Sequence, residues 1–310
     1  MSAEFPADPE SEYRAAEERL LATEGLTRTE RFVDADGVRL HVIDLPGDDR
    51  IPVVLLHGMA SVTAAAVPLI PAFGGRRVIA PDWPGHGLSG DADLDPDDLR
   101  SAPVRWLLAV LDASGVERAH LVAHSMGAQF ALYAALAHPE RVASLTILGA
   151  PGAAFRGMRV PLGLRLMVLP GVRGALFTPV SREQYGANSA ITLGKGAVDP
   201  WPRELVDCGW LASLRPEFRR TAPLLAKAIA SPWGVRRHAR LSDAELASLT
   251  MPVFALLGDA DVFIAPGVAQ RALDRIPGSR AAALPAGHAP WLNRPDESRA
   301  AVAAFLDALP

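Results

Sequence analysis

The chain is poor in cysteine, in aromatic residues and in long apolar runs. A single cysteine, Cys208, among 310 residues excludes an internal disulfide framework and a cysteine-built zinc site. Aromatic residues amount to 6%, and no basic stretch is interleaved with them, which argues against nucleic acid as a partner. No uninterrupted apolar run approaches the ~18 residues that a membrane-spanning helix requires. The opening stretch MSAEFPADPESEYRAAEERL is acidic and lacks the apolar centre of a secretory leader, so a cytoplasmic protein is expected. The phosphate-loop, H-E-x-x-H zinc and EF-hand patterns are missing as well. No cofactor and no metal are expected.

What is present is a chain of ordinary globular composition with an uneven charge. Between Val142 and Arg240 there are 14 Lys or Arg against 5 Asp or Glu, a local balance of +9, which leaves −13 for the rest of a chain whose net charge is −4. Arg156, Arg159, Arg165, Arg173 and Arg182 stand in a stretch that contains no acidic residue. A solvated basic face accounts for this. So does attraction of an anionic small-molecule substrate, an acidic carrier protein or an anionic membrane surface. The stretch RVPLGLRLMVLPGVRGALF, Arg159 to Phe177, is basic and apolar enough to serve as a covering helix or as a docking segment.

Hydrophobic periodicity places strands at ERFVDADGVRLHVIDLP (two, around a turn at Asp36-Gly37), IPVVLLHG, RRVIAPDWPGHG, AHLVAHS, VASLTILGAPG, MPVFALLGDAD and RAAALPAGH. Most are short continuous Val/Leu/Ile runs, the form of a strand buried on both faces. Helical patterns fall between them, notably Pro96–Ser114, Met126–His138 and Pro266–Ile276. Strands alternating with helices predict an α/β protein with a mainly parallel, doubly wound sheet. The alternation stops from about Pro151 to Arg237 and then resumes. This predicts a charged N-terminal extension over 1–30, a core over 31–150 and 238–310, and an inserted, mostly helical lid over 151–237.

In a parallel sheet, ligands bind beyond the carboxyl ends of the strands. His57-Gly58, Asp82, Ser125, Asp259, Asp261 and His288 all fall at such ends. Ser125 in AHSMG follows a strand and opens a helix, with the small residues Ala123 and Gly127 around it. Such a Ser is either a helix N-cap or a nucleophile on a sharp strand-to-helix turn. A hydroxyl nucleophile needs a base, and His288 in LPAGHAPWLNRP is the best-placed of eight histidines. His57 and His86 are assigned to turns, and His124 is expected to point away from Ser125. The base in turn needs a carboxylate. Asp261 ends the G-x-x-D pattern from Gly258 and is preferred over Asp259, which is read as capping a turn. The backbone N–H groups of Met126 and Met59 would hold an oxyanion. Asp82 is read as a turn hydrogen-bonding group, Cys208 as an apolar filler. Trp83, Trp201, Trp210, Trp233 and Trp291 either line a pocket or pack.

The stretches VVLLHGMAS, VIAPDWPGHGLS, LVAHSMGAQFALYAALAHPERV, ALLGDADVFIAP and AGHAPWLNRPDE resemble α/β-hydrolase-fold proteins of the single-lid type, which include bacterial esterases and carbon–carbon hydrolases. The resemblance covers residues 30–150 and 240–308, and the order Ser, Asp, His is that of the family. It implies a Ser125–His288–Asp261 triad acting on a carboxylic ester or thioester through an acyl-enzyme. The same residues would also serve a carbon–carbon hydrolase, a cyclase or lyase, or a ligand-binding receptor. Ser at 125 departs from the haloalkane dehalogenase and epoxide hydrolase branches, whose mechanism needs a carboxylate there. The lid resembles nothing that names a substrate.

Overall fold

The computed structural model describes residues 5–162, 165, 169, 178–194 and 201–309. The chain opens with helix α1 (Pro9–Thr23), started by Asp8, whose carboxylate accepts the N–H groups of Glu10 and Ser11, and by Pro9, which has no N–H to leave unpaired. Strands β1 (Thr29–Ala35) and β2 (Val38–Leu45) form a hairpin with Ala35 opposite Val38. Asp36 and Gly37 both sit at positive φ, 59° and 78°, the turn whose twist matches that of the strands it joins.

Strands β3 (Asp48–Leu56), β4 (Arg76–Pro81), β5 (Ala119–His124) and β6 (Val142–Leu148) follow. Helix α2 (Ala102–Ala113) lies between β4 and β5, and α3 (Met126–Ala137) between β5 and β6. The helical pattern from Pro96 to Ser114 is divided. A short 3-10 turn over Pro96–Asp98 precedes α2, which starts with Pro103 in its first turn, where a missing N–H costs nothing.

After β6 the described part of the inserted segment holds α4 (Arg182–Leu193), α5 (Arg203–Leu214), α6 (Pro216–Ile229) and a two-stranded hairpin of β7 (Ala230–Ser231) and β8 (Gly234–Val235). Arg173 and most of the stretch from Arg159 to Phe177 lie outside the described residues. The core resumes with α7 (Asp243–Ala247), β9 (Val253–Gly258), α8 (Pro266–Leu273), β10 (Arg280–Leu284), α9 (Pro290–Asn293) and α10 (Pro295–Asp307).

The main sheet runs β1-β2-β4-β3-β5-β6-β9-β10. Only the β1–β2 and β2–β4 pairs are antiparallel; from β4 to β10 every neighbour is parallel. Every residue of β5, β6 and β9 is buried, which is why they read as mainly apolar runs. Edge strand β10 is mostly exposed. One face of the sheet is covered by α2, α3 and α8, the other by α1, a 3-10 segment over Thr63–Phe73, α5 and α10.

The first thirty residues do not trail from this body. Tyr13, Ala16, Leu20 and Leu21 of α1 are buried in the second layer, and so is Glu17. Burying a carboxylate carries a desolvation cost, and Arg28 partly offsets it with its Nε 3.3 Å from Glu17 Oε2. No described helix is long and apolar enough to cross a membrane.

Candidate active site

Ser125 follows the last residue of β5 and precedes the first of α3. Its φ of 51° and ψ of −119° are strained for a residue with a Cβ, and the neighbours enforce them. A Cβ on Gly127 would lie 2.4 Å from the Leu56 carbonyl oxygen and 2.6 Å from that of His57. Only glycine therefore lets α3 begin so close to β3. A Cβ on Gly58 would stand 3.0 Å from that of Ser125 and 2.8 Å from His124 Nδ1, so the loop after β3 closes over the turn for the same reason. The Ser125 hydroxyl makes no capping bond to its helix. It lies 2.9 Å from Nε2 of His288.

His288 is buried, 163 residues away in the loop between β10 and α9. Its Nδ1 lies 2.9 Å from Asp261 Oδ2. Asp261 also accepts the backbone N–H groups of Ala150 and Phe263, each at 2.9 Å. Burial by itself would raise this carboxyl. The hydrogen bond and charge of His288, together with the two N–H donors, outweigh it and hold the group below the usual carboxylate range. An ionised Asp261 keeps the proton on Nδ1, which leaves the lone pair of Nε2 facing the serine hydroxyl. Asp259 is exposed and bonds elsewhere: it accepts the Ala286 N–H at 3.2 Å. The structure thus brings Ser125, His288 and Asp261 into one chain of hydrogen bonds and leaves Asp259 outside it.

Met126 opens α3, where the first N–H groups of a helix have no partner within it. Met59 lies in the loop after β3. Among the described residues no acceptor is bonded to either N–H, whereas the next N–H of the loop, that of Ala60, is taken by His86 Nε2 at 3.2 Å. Ala60 itself has φ 55°. A framework of buried polar groups holds this loop. His57 Nε2 accepts the Trp83 N–H at 2.9 Å and its Nδ1 donates to the Gly58 carbonyl at 2.8 Å. His86 Nδ1 donates to the Pro84 carbonyl at 2.9 Å. Burial lowers the pKa of both imidazoles, that of His86 to about 3, so both are neutral acceptors at pH 7.

Asp82 anchors the same framework by accepting the Thr63 N–H at 2.9 Å and His41 Nδ1–H at 2.8 Å. Burial opposes its charge, but the His41 hydrogen bond and charge prevail and keep the carboxyl well below its ordinary range. The partnership of His41 with Asp82 escaped the sequence, because β2 and the end of β4 meet only in the sheet.

His124 corrects an expectation. Rather than pointing away, its Nε2–H donates to the backbone carbonyl of His288 at 3.1 Å. Its ring centroid lies 4.6 Å from that of His288 and 4.7 Å from that of Trp291. Strand alternation predicts opposite faces for residues 124 and 125. The positive φ of Ser125 ends that alternation, and the His288 loop wraps over the strand end from the side His124 occupies. Burial, and then the neighbouring His288, push the His124 pKa well down; a neutral donor faces the carbonyl. Phe263 closes the other side of His288 at 4.4 Å between ring centroids, and Asn293 Oδ1 ties the loop by accepting the Gly287 N–H at 2.9 Å.

The tryptophans divide. Trp83 and Trp291 are buried, with Trp291 donating to the Ala65 carbonyl; Trp201 and Trp210 donate to the Leu292 and Val180 carbonyls. Trp233 is exposed. Cys208 is buried and free. The basic segment is less unbalanced than its sequence. Arg182 pairs with Asp207, Arg215 reaches Glu217 and Glu10, and Arg220 pairs with Asp91. Arg182 therefore does not belong with the unneutralised arginines: its partner lies 25 residues on, across a helix–helix contact. Arg156, Arg159 and Arg165 have no ion pair with a described residue.

The α/β-hydrolase fold family model matches residues 51–295, and the chain belongs to that family. It is a hydrolase of this fold by that membership and by its relatives. Epoxide hydrolase B of Mycobacterium tuberculosis is 29% identical over 267 residues, 77% of this chain and 72% of that protein. The 2-hydroxymuconate semialdehyde hydrolase of Pseudomonas sp. strain CF600 is 30% identical over 207 residues, 66% of this chain and 68% of that protein. Among solved structures, carboxylesterase CesB of Bacillus subtilis superposes with a TM-score of 0.74 at 22% identity, covering 96% of this chain and 98% of that one.

Proposed function

We propose that the protein is a serine hydrolase that cleaves a carboxylic ester or thioester through an acyl-enzyme on Ser125. The observation that carries this reading is the 2.9 Å contact between Ser125 Oγ and His288 Nε2, made by a hydroxyl that does not cap its own helix. His288 removes the hydroxyl proton as Oγ attacks the acyl carbon. The carbonyl oxygen gains the electron pair of the broken π bond, and the Met59 and Met126 N–H groups face that charge. His288 then gives its proton to the departing alcohol or thiol. It next deprotonates a water that attacks the acyl-enzyme, and Ser125 recovers its proton as the acid leaves. Asp261 keeps the imidazole oriented and favours its charged form.

Position 125 supplies a hydroxyl and not a carboxylate, which separates this chemistry from the covalent alkyl-enzyme route even though some relatives are named epoxide hydrolases. A second reading, hydrolysis of a carbon–carbon bond in a dienoic keto acid, is favoured by the similarity to 2-hydroxymuconate semialdehyde hydrolase. The test is a series of chromogenic esters and thioesters, with a vinylogous diketo acid alongside, on wild type and Ser125→Ala. Ester turnover abolished by Ser125→Ala, and phosphonate labelling of Ser125 alone, are expected. Turnover of the diketo acid without any ester activity overturns the ester reading in favour of the second. Labelling at another residue overturns both.

A further inference from the structure

Trp233 is 90% exposed, and it is not a loose side chain on a loose loop. It sits with Pro232 at the tip of the β7–β8 hairpin, which is closed by the pairs Ala230–Val235 and Ser231–Gly234 and by a bond from Ser231 Oγ to the Gly234 carbonyl at 3.1 Å. Arg236 Nε donates to the Lys227 carbonyl at 2.6 Å, and Arg165 Nε donates to the Pro232 carbonyl at 2.7 Å. Three residues before Arg165, Leu162 is 68% exposed. The hairpin therefore holds a large apolar ring outward, and the segment that carries Leu162 is tied to its tip through Arg165.

The charge around it has one sign. From Phe218 to Ser242 the chain carries six Lys or Arg and no Asp or Glu. Lys227, Arg236 and Arg237 flank the tip, and none of them makes an ion pair with a described residue. A protruding indole on a hairpin flanked in the chain by Lys227, Arg236 and Arg237 suits the headgroup layer of a membrane, where the ring occupies the boundary and the cations meet lipid phosphates.

We propose that the β7–β8 hairpin and the cations beside it form a docking surface for an anionic phospholipid bilayer. The inference stands apart from the ester-hydrolase reading, since it uses no residue of the Ser125 site. The hairpin belongs to the segment inserted after β6, which leaves the sheet at the carboxyl end where Ser125 lies.

The test is co-sedimentation of the whole protein with vesicles of phosphatidylcholine alone and of phosphatidylcholine with phosphatidylglycerol, with polyglutamate as a competitor. Binding is expected only to the anionic vesicles. Lys227→Gln/Arg237→Gln should weaken it about 25-fold, at about fivefold per cation, and Trp233→Ser by about tenfold. Both variants change exposed side chains, and unaltered thermal unfolding checks that they fold. Equal binding to both vesicle types, no binding to either, or variants that bind like wild type overturns the proposal. Binding to polyglutamate without binding to vesicles overturns it in favour of an acidic protein partner.

Discussion

Replacing Asp261 by Asn tests the proposed triad at its least exposed member. The carboxylate makes three hydrogen bonds, to His288 Nδ1 and to the N–H groups of Ala150 and Phe263. Asparagine keeps one acceptor oxygen, which can stay on the Phe263 N–H at the Oδ1 position. The amide nitrogen then takes the Oδ2 position, where it meets two donors. His288 escapes that conflict by moving its proton to Nε2, so an N–H faces the Ser125 hydroxyl and no base remains. A fall in kcat of about 10⁴-fold is expected, as for triads generally, equivalent to about 5.4 kcal/mol in the barrier. The Ala150 N–H is left without an acceptor, and stability should drop by about 1–3 kcal/mol.

Asp259→Asn is the control. Asp259 is exposed and accepts one N–H at 3.2 Å, a bond that an amide oxygen also makes, so kcat should stay within about twofold and stability within about 0.5 kcal/mol. The assay is single-turnover and steady-state hydrolysis of a chromogenic ester, with urea unfolding in parallel. The pH profile adds a sign. The pKa of Asp261 is depressed, so the stability drawn from its ionised form is present above the ordinary aspartate value and is lost only as pH falls through the lowered one. Asp261→Asn should therefore lose its stability deficit only in strong acid. Full activity in Asp261→Asn with a collapse in Asp259→Asn refutes the assignment.

His124→Phe keeps an aromatic ring, though a slightly larger one, but leaves the His288 carbonyl without its donor; kcat should fall about tenfold with KM unchanged, since small misplacements of a catalytic group are costly. A lower melting temperature with normal kcat would reduce His124 to packing. Glu17 is buried, and burial raises its carboxyl above the usual range against the opposing charges of His41 and Arg28. Its protonated form thus contributes stability that is complete below the ordinary glutamate range and is lost as pH rises through the raised value. Glu17→Gln should gain on wild type in urea unfolding as pH rises from acid to neutral, and a pH-independent difference would contradict this. If Arg156 and Arg159 steer an anionic ester, kcat/KM should fall with added salt for that ester and stay flat for a neutral one, given a Debye length of about 8 Å at physiological ionic strength. Arg156→Gln/Arg159→Gln should remove the slope; identical salt profiles for the two esters leave only a solvated basic face.

What the sequence by itself determined is local in origin. Apolar runs announced β5, β6 and β9 because strands buried on both faces are filled mainly by apolar side chains. The small residues around Ser125 announced the turn because a sharp strand-to-helix junction has room for nothing larger. The G-x-x-D pattern separated Asp261 from Asp259 because two residues decide which carboxylate turns inward at a strand end. Tertiary structure alone decided which distant groups meet. His124 lies against His288 across 164 residues, His41 holds Asp82 across 41, and Arg182 finds Asp207 across 25. The same holds for α1, whose charged sequence hid the buried face of Tyr13, Ala16 and Leu20. Such pairings depend on strand order and on how loops cross the sheet ends. A local pattern of residues carries no record of either.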